Sequence, residues 1–192
     1  MTAPLILAFD TSAAHCAAAL LAGGRVIDAR AEEMGRGQAE RLIPLLEELL
    51  SDAGYGWADL DRIGVGTGPG NFTGIRISVS AARGLALALD IPAIGVSGLE
   101  ALRRAHGTAD AAIPAPRAMA YLQRGDTAPV LVPESDLPDG VARLDDPAAL
   151  AVAMAALAAE APSDSPPPAP LYLRPADAAP ARDRPPVILD DA

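Results

Sequence analysis

A buried strand that runs through a glycine-rich turn into an apolar helix constrains this chain more than any other feature. Asp61–Gly66 carries Ile63 and Val65 as its apolar residues. Thr67-Gly68-Pro69-Gly70-Asn71-Phe72-Thr73-Gly74 follows, and then Ile75, Ile77, Val79, Ala82, Leu85, Ala86, Leu87 and Leu89 make a helix apolar nearly all round. Such a helix in a water-soluble chain is covered on more than one side. A strand, a tight connection and a helix in that order point to an α/β architecture. The glycine turn admits two readings. Glycines let backbone approach a ligand, and a helix N-terminus aims free N–H groups at an anion, which would make Gly68, Gly70, Asn71 and Thr73 a phosphate or carbamoyl cradle. Alternatively the turn is a tight strand-to-helix connection capped by Asn71 or Thr73. It is not a P-loop, because no Gly-Lys-Ser/Thr closes it.

The flanking sequence extends the pattern. Leu5–Phe9 is an apolar strand ending in Asp10-Thr11-Ser12, three residues suited to a tight turn. His15–Leu21 and Arg25–Ala31 read as further strands joined by Ala22-Gly23-Gly24, a hairpin signal, so the chain opens as an antiparallel meander. Gln38–Ala53 predicts a helix that Pro44 bends. Its Leu42, Ile43, Leu45, Leu46, Leu49, Leu50 and Ala53 fill an arc of roughly 160° at 100° per residue, wider than the ~100° stripe of a surface helix. The width predicts contact with two surfaces. Ala93–Val96 is a short strand, and Ser97 caps a helix to about Ala105. Beyond it, Pro114 and Pro116 interrupt a strand ahead of Met119–Leu122, and Val130–Val132 is another strand. Asp145-Asp146-Pro147 starts an alanine-rich helix to Glu160. Pro166–Pro170 is a polyproline linker, Leu171–Leu173 a last strand, and the Pro/Ala-rich 175–192 a disordered tail.

Composition removes several function classes. All fifteen basic residues are arginine and the formal net charge is −10, so Schiff-base chemistry has no lysine and a phosphate backbone meets repulsion. Aromatics are 3% of the chain, too few for base-stacking platforms. Cys16 alone can form no intrachain disulfide, which fits a reducing cytoplasm. The runs Leu5–Phe9 and Ala148–Ala159 are shorter than the ~20 residues a spanning helix needs, and no basic segment precedes the first. His15 and Cys16 are neighbours in a strand and point to opposite faces, and His106 stands alone, so these three predict neither a metal site nor a Cys–His nucleophile. Asp10-Thr11-Ser12 reads either as a nucleotide-phosphate turn or as an ordinary hairpin end. The two broad helices read either as an interface for a partner's helices or as elements buried by their own sheet. On the interface reading, Leu46→Asp leaves the fold intact and removes the partner.

Taken together, the pieces resemble one family. Leu7-Ala8-Phe9-Asp10-Thr11-Ser12, Glu40-Arg41-Leu42-Ile43-Pro44, Gly64-Val65-Gly66-Thr67-Gly68-Pro69-Gly70-Asn71-Phe72-Thr73-Gly74-Ile75-Arg76, Gly95-Val96-Ser97-Gly98-Leu99 and Pro170-Leu171-Tyr172-Leu173-Arg174 resemble TsaB (YeaZ) proteins of bacterial tRNA threonylcarbamoyladenosine biosynthesis. The likeness covers residues 4–105 well and the rest in patches. It implies an actin-like ATPase (ASKHA, ribonuclease H-like) α/β fold with a mixed sheet and helices on both faces. Residues 1–105 would form an N-terminal subdomain and 106–174 a reduced C-terminal one. It also implies a non-catalytic cytoplasmic scaffold for tRNA modification: a heterodimer with TsaD that activates this catalytic paralogue for N6-threonylcarbamoylation of adenosine 37 in tRNAs reading ANN codons. The ATPase TsaE would join the dimer, tRNA would be engaged through the complex, and the chain would form a homodimer when alone. Leu42, Leu45, Leu46, Leu49, Leu50, Ile75, Arg76, Val79 and Arg83 would form the partner interface. The paralogue's metal-binding histidines align with Gly98 and Leu102, so no cofactor of its own is expected, and ATP would belong to the assembled complex. The family's Asp-Ala-Arg-x-Gly-x-x-Tyr is replaced by Ile113-Pro114-Ala115-Pro116-Arg117-Ala118-Met119-Ala120-Tyr121, consistent with the reduced second subdomain. The competing reading is an actin-like phosphotransferase holding ATP·Mg²⁺ with Asp10, Thr11, Ser12 and the glycine turn.

Overall fold

The computed structural model describes residues 4–173. The expected tail, 175–192, lies outside them. Strands β1 (Leu5–Asp10), β2 (His15–Ala22), β3 (Arg25–Glu33), β4 (Arg62–Gly66) and β5 (Ala93–Val96) form one sheet in the order β3-β2-β1-β4-β5. The first three pair antiparallel, and β1–β4 and β4–β5 pair parallel. This mixed sheet with helices on both faces is the α/β, ribonuclease H-like arrangement expected from the sequence. Helices α1 (Gln38–Asp52) and α2 (Phe72–Leu89) cover one face; α4 (Pro147–Glu160) covers the other, with α3 (Gly98–His106) packed beside it. Alternation decides the sides. Leu5, Leu7 and Phe9 of β1 pack with Leu42, Leu46 and Leu49 of α1, whereas Ile6 and Ala8 pack with Met154 and Ala158 of α4.

The chain after α3 builds a second sheet from β6 (Asp110–Ala115), β7 (Met119–Arg124), β8 (Val130–Pro133) and β9 (Ala142–Arg143), in the order β8-β7-β6-β9. Pro114 does not break β6. The two-residue β9 pairs only with Ala111 and Ala112, so at Pro114 the sole strand neighbour is β7. Leu171–Leu173 forms no strand; the Leu171 N–H donates a single bond to the Thr67 carbonyl at 2.8 Å. Helix α4 then returns to the first sheet. Asp146 caps it through the N–H groups of Ala148 and Ala149. Its alanines allow close approach: a Cβ on Gly64 would lie 2.9 Å from that of Ala158. At its other end the Arg62 guanidinium donates to the carbonyls of Ala158 and Ala161, both at 2.6 Å, satisfying acceptors that a helix C-terminus leaves free.

Burial overturns the physical case for the two broad helices as an interface. Leu42, Leu45, Leu46, Leu49, Leu50, Ile75 and Val79 are all at most 3% exposed within this single chain. The wide arc of α1 is filled by the sheet beneath it and by α2 beside it, so the same leucines cannot also present a surface to a partner. Arg76 and Arg83 are exposed. Helix α2 also differs from the expectation that no segment could cross a bilayer. Its 18 residues, with mean hydropathy 1.2, suffice by length and composition, because Arg76 and Arg83 interrupt the run without lowering the average enough. Ile75, Ser78, Val79 and Ala82 are buried in the fold instead.

Candidate functional site

The β1–β2 turn and the glycine turn are zipped to each other. Asn71 donates its N–H to the Ser12 carbonyl at 2.6 Å, and the Thr11 hydroxyl donates to the Gly74 carbonyl at 2.7 Å. The glycines are required by this contact: a Cβ on Gly70 would sit 2.3 Å from the Ser12 carbonyl oxygen, and one on Gly74 would sit 1.9 Å from that of Thr11. Gly70 and Gly74 thus make room for the protein's own carbonyls. Asn71 caps α2 by accepting from the Gly74 N–H at 3.0 Å, as one of the two sequence readings anticipated; Thr73 is exposed.

Beneath the turn lies Asp10, fully buried. Its Oδ2 accepts from the Ser12 N–H at 3.1 Å and the Ser12 hydroxyl at 2.8 Å, and lies 2.9 Å from His15 Nε2. Its Oδ1 is buried without a hydrogen-bond partner, and Gly66 makes room for it, since a Cβ there would lie 1.9 Å away. The Asp10–His15 pair follows from hairpin register. Asp10 lies opposite Ala17, and His15 shares Ala17's face. Sequence reasoning set His15 aside because it sought metal ligands; the register of the predicted hairpin was the signal that could have found it. Cys16, on the other face, is enclosed by the core, and burial followed by the nearby Glu32 carboxylate pushes its thiol up to about 11.

Above the turn opens a cleft of about 500 Å³ between the two sheets. Ser12, Gly70 and Asn71 line it; Asp10, Thr11, Gly68 and Thr73 do not. Gly68 is buried instead, with Ile75 and the Leu171 carbonyl against it. The opposite wall comes from Ile113, Pro116, Tyr121 and Leu144, and the third from Leu171–Leu173. Phe72 stacks on Tyr172 with ring centroids 4.8 Å apart, and the Arg76 guanidinium carbon lies over the Phe72 ring, 4.5 Å from its centroid. No residue of the described lining carries a charge. This aromatic layer escaped sequence reasoning, because Phe72 and Tyr172 lie a hundred residues apart. Gly98 and Leu102 are both interior. A Cβ on Gly98 would lie 2.9 Å from Ile113 Cδ1, and Leu102 is buried with α4.

Comparison with known proteins places this geometry. A family model described as "TsaD: tRNA N6-adenosine threonylcarbamoyltransferase" matches residues 30–170. A protein of Escherichia coli named "tRNA threonylcarbamoyladenosine biosynthesis protein TsaB" is 40% identical over 94 residues, 49% of this chain and 40% of its own length. Its Haemophilus influenzae namesake is 38% identical over 100 residues, 52% of this chain and 42% of its own length. The chain thus spans about two-fifths of the length of the curated relatives it matches. The solved structure of YeaZ from Pseudomonas aeruginosa superposes with a TM-score of 0.61 at 34% identity, covering 71% of this chain and 70% of that one. Sequence motif, sheet order and superposition agree: the chain belongs to the TsaB/YeaZ family.

Proposed function

We propose that the chain takes part in tRNA threonylcarbamoyladenosine biosynthesis as a non-catalytic subunit that binds a TsaD paralogue and biases it toward its active conformation. That bias requires the subunit to bind the active form more tightly than the inactive one. The observation that carries the reading is the outer face of α2. Arg76, Ser80, Arg83, Gly84 and Leu87 fall on one stripe at helical spacing, all exposed, and Leu87 is 86% exposed. The stripe replaces the buried leucines of α1 as the contact surface. Its small residues let a partner helix come close, and its two arginines flank the contact. TsaE would join the assembled dimer, and tRNA would be engaged through it, in the cytoplasm; without TsaD the same stripe would pair two copies.

Gly98 and Leu102 support a non-catalytic role, because neither side chain can ligate a metal. The described lining of the cleft offers no cation to a phosphate, which weighs against the phosphotransferase alternative; calorimetric titration of the isolated chain with ATP·Mg²⁺ should give no binding heat. The main test is co-expression with TsaD. Leu87→Asp and Arg83→Glu should each abolish co-purification and the dependent tRNA modification while leaving the thermal melt of the chain unchanged. Wild-type co-purification by both variants would reject the assignment.

A further inference from the structure

The cleft between the two sheets abuts the exposed stripe on α2. We propose that the cleft seats one aromatic side chain with a polar tip, a tyrosine or a tryptophan, of the partner that covers the stripe. This rests on the reading of α2 as the contact face for TsaD and adds a second anchor to it.

The two surfaces are continuous through Arg76. It is exposed and belongs to the stripe, and its guanidinium carbon lies 4.5 Å from the centroid of the Phe72 ring, one helical turn earlier. Phe72 in turn lines the cleft and stacks on Tyr172. A partner that follows the stripe from Leu87 back to Arg76 therefore arrives at the aromatic wall of the cleft.

The chemistry of that wall selects the side chain. Phe72, Tyr121 and Tyr172 line the cleft, three of the six aromatic residues in the whole chain. Tyr172 remains 42% exposed beside its stack on Phe72, so ring surface is on offer to a further ring. No residue of the described lining is charged, and a carboxylate or guanidinium entering it would lose water without gaining a counter-ion. Ser12 lines the cleft and is buried; its hydroxyl donates to Asp10 at 2.8 Å, which leaves its oxygen as an acceptor. A phenol O–H or an indole N–H supplies the matching donor, whereas phenylalanine and the aliphatic residues have none. Tyrosine and tryptophan are also the side chains that anchor protein interfaces, because they combine a large rigid ring with one polar group.

Photo-crosslinking of the full-length chain co-expressed with TsaD tests this. Benzoylphenylalanine in place of Gly35 puts the probe on the cleft lining, at a position where an added Cβ meets no atom within 4 Å. Irradiation should give an adduct that maps to a TsaD segment containing a tyrosine or tryptophan. Tyr172→Ala removes the ring and Ala115→Trp fills the space; each should weaken the complex about tenfold with the thermal melt unchanged. Loss of the complex in Leu87→Asp together with wild-type affinity in both cleft variants would overturn the anchor and leave the stripe standing. The anchor would equally fall if no adduct formed, or if the adduct mapped to a second copy of this chain or to a TsaD segment without either residue. Failure of the unmodified chain to bind TsaD would overturn the stripe and the anchor together.

Discussion

The two sheets are built from similar residue types and covered very differently. The first is enclosed on both faces, by α1 and α2 on one side and by α4 on the other. The second divides its residues. Ala111, Ile113 and Tyr121 join the cluster beneath the first sheet, while Ala112, Ala120 and Leu122 face a small cluster closed, among the described residues, by Val132, Leu137 and Val141. Its edge strand leaves Val130 and Leu131 at 53% and 40% exposure. Burial of apolar area is the main favourable term in folding, so stability resides in the first sheet, and the second is held in place by leaning on it.

The sharpest way to break that comparison is Leu46→Asp. It puts a charge into a fully enclosed site with no partner, at a cost above ~4 kcal/mol, and should leave the chain unfolded by circular dichroism. This reverses the sequence-based expectation that the variant would fold and merely lose its partner; a melt near that of the wild type would show the face of α1 to be open. Gly74→Ala comes next. Its Cβ meets a backbone carbonyl that cannot swing aside, so the two turns must part, at about 3 kcal/mol by denaturant titration, and the contact that joins the first sheet to the cleft weakens. A smaller effect is expected from Leu122→Ala, about 2 kcal/mol, because its thin cover can collapse into the space left. Hydrogen exchange should show β6–β8 amides opening well before those of β1 and β4; equal protection would erase the distinction between the sheets.

The smallest effect is read through pH. Cys16 ionises near 9 in an open chain and near 11 when folded, so its folded pKa is raised. Above pH 9 the unfolded state gives up a proton that the native state keeps. Stability therefore falls as pH rises from 9 toward 11, by at most about 2 kcal/mol. The same melts on Cys16→Ala should lack that slope, and parallel curves would show that water reaches this part of the first sheet.

The elements of the first half were legible because each has a strong local period or stop. The continuous apolar run Leu5–Phe9, the leucine arc of α1 and the glycine turn each carry a local signal, and their order points to an α/β architecture, which the resemblance sharpened to a mixed sheet. The helix ending at Glu160 was legible too, through Asp146 and Pro147 at its start. Its destination was not. An alanine-rich helix has no marked apolar face to aim, and only the packed structure shows it against Gly64 and Ala8.

The candidate site divides in the same way. Sequence alone determined that Asp10-Thr11-Ser12 and the glycine turn each follow a strand; only the resemblance implied that the two turns lie together. Tertiary structure decided how they meet. The distance between two backbones settles what a glycine makes room for, and at Gly70 and Gly74 it is the carbonyls of Ser12 and Thr11. Whether a leucine on a wide helical arc faces a partner or its own sheet is likewise a matter of what lies across from it, which periodicity along one chain segment does not contain.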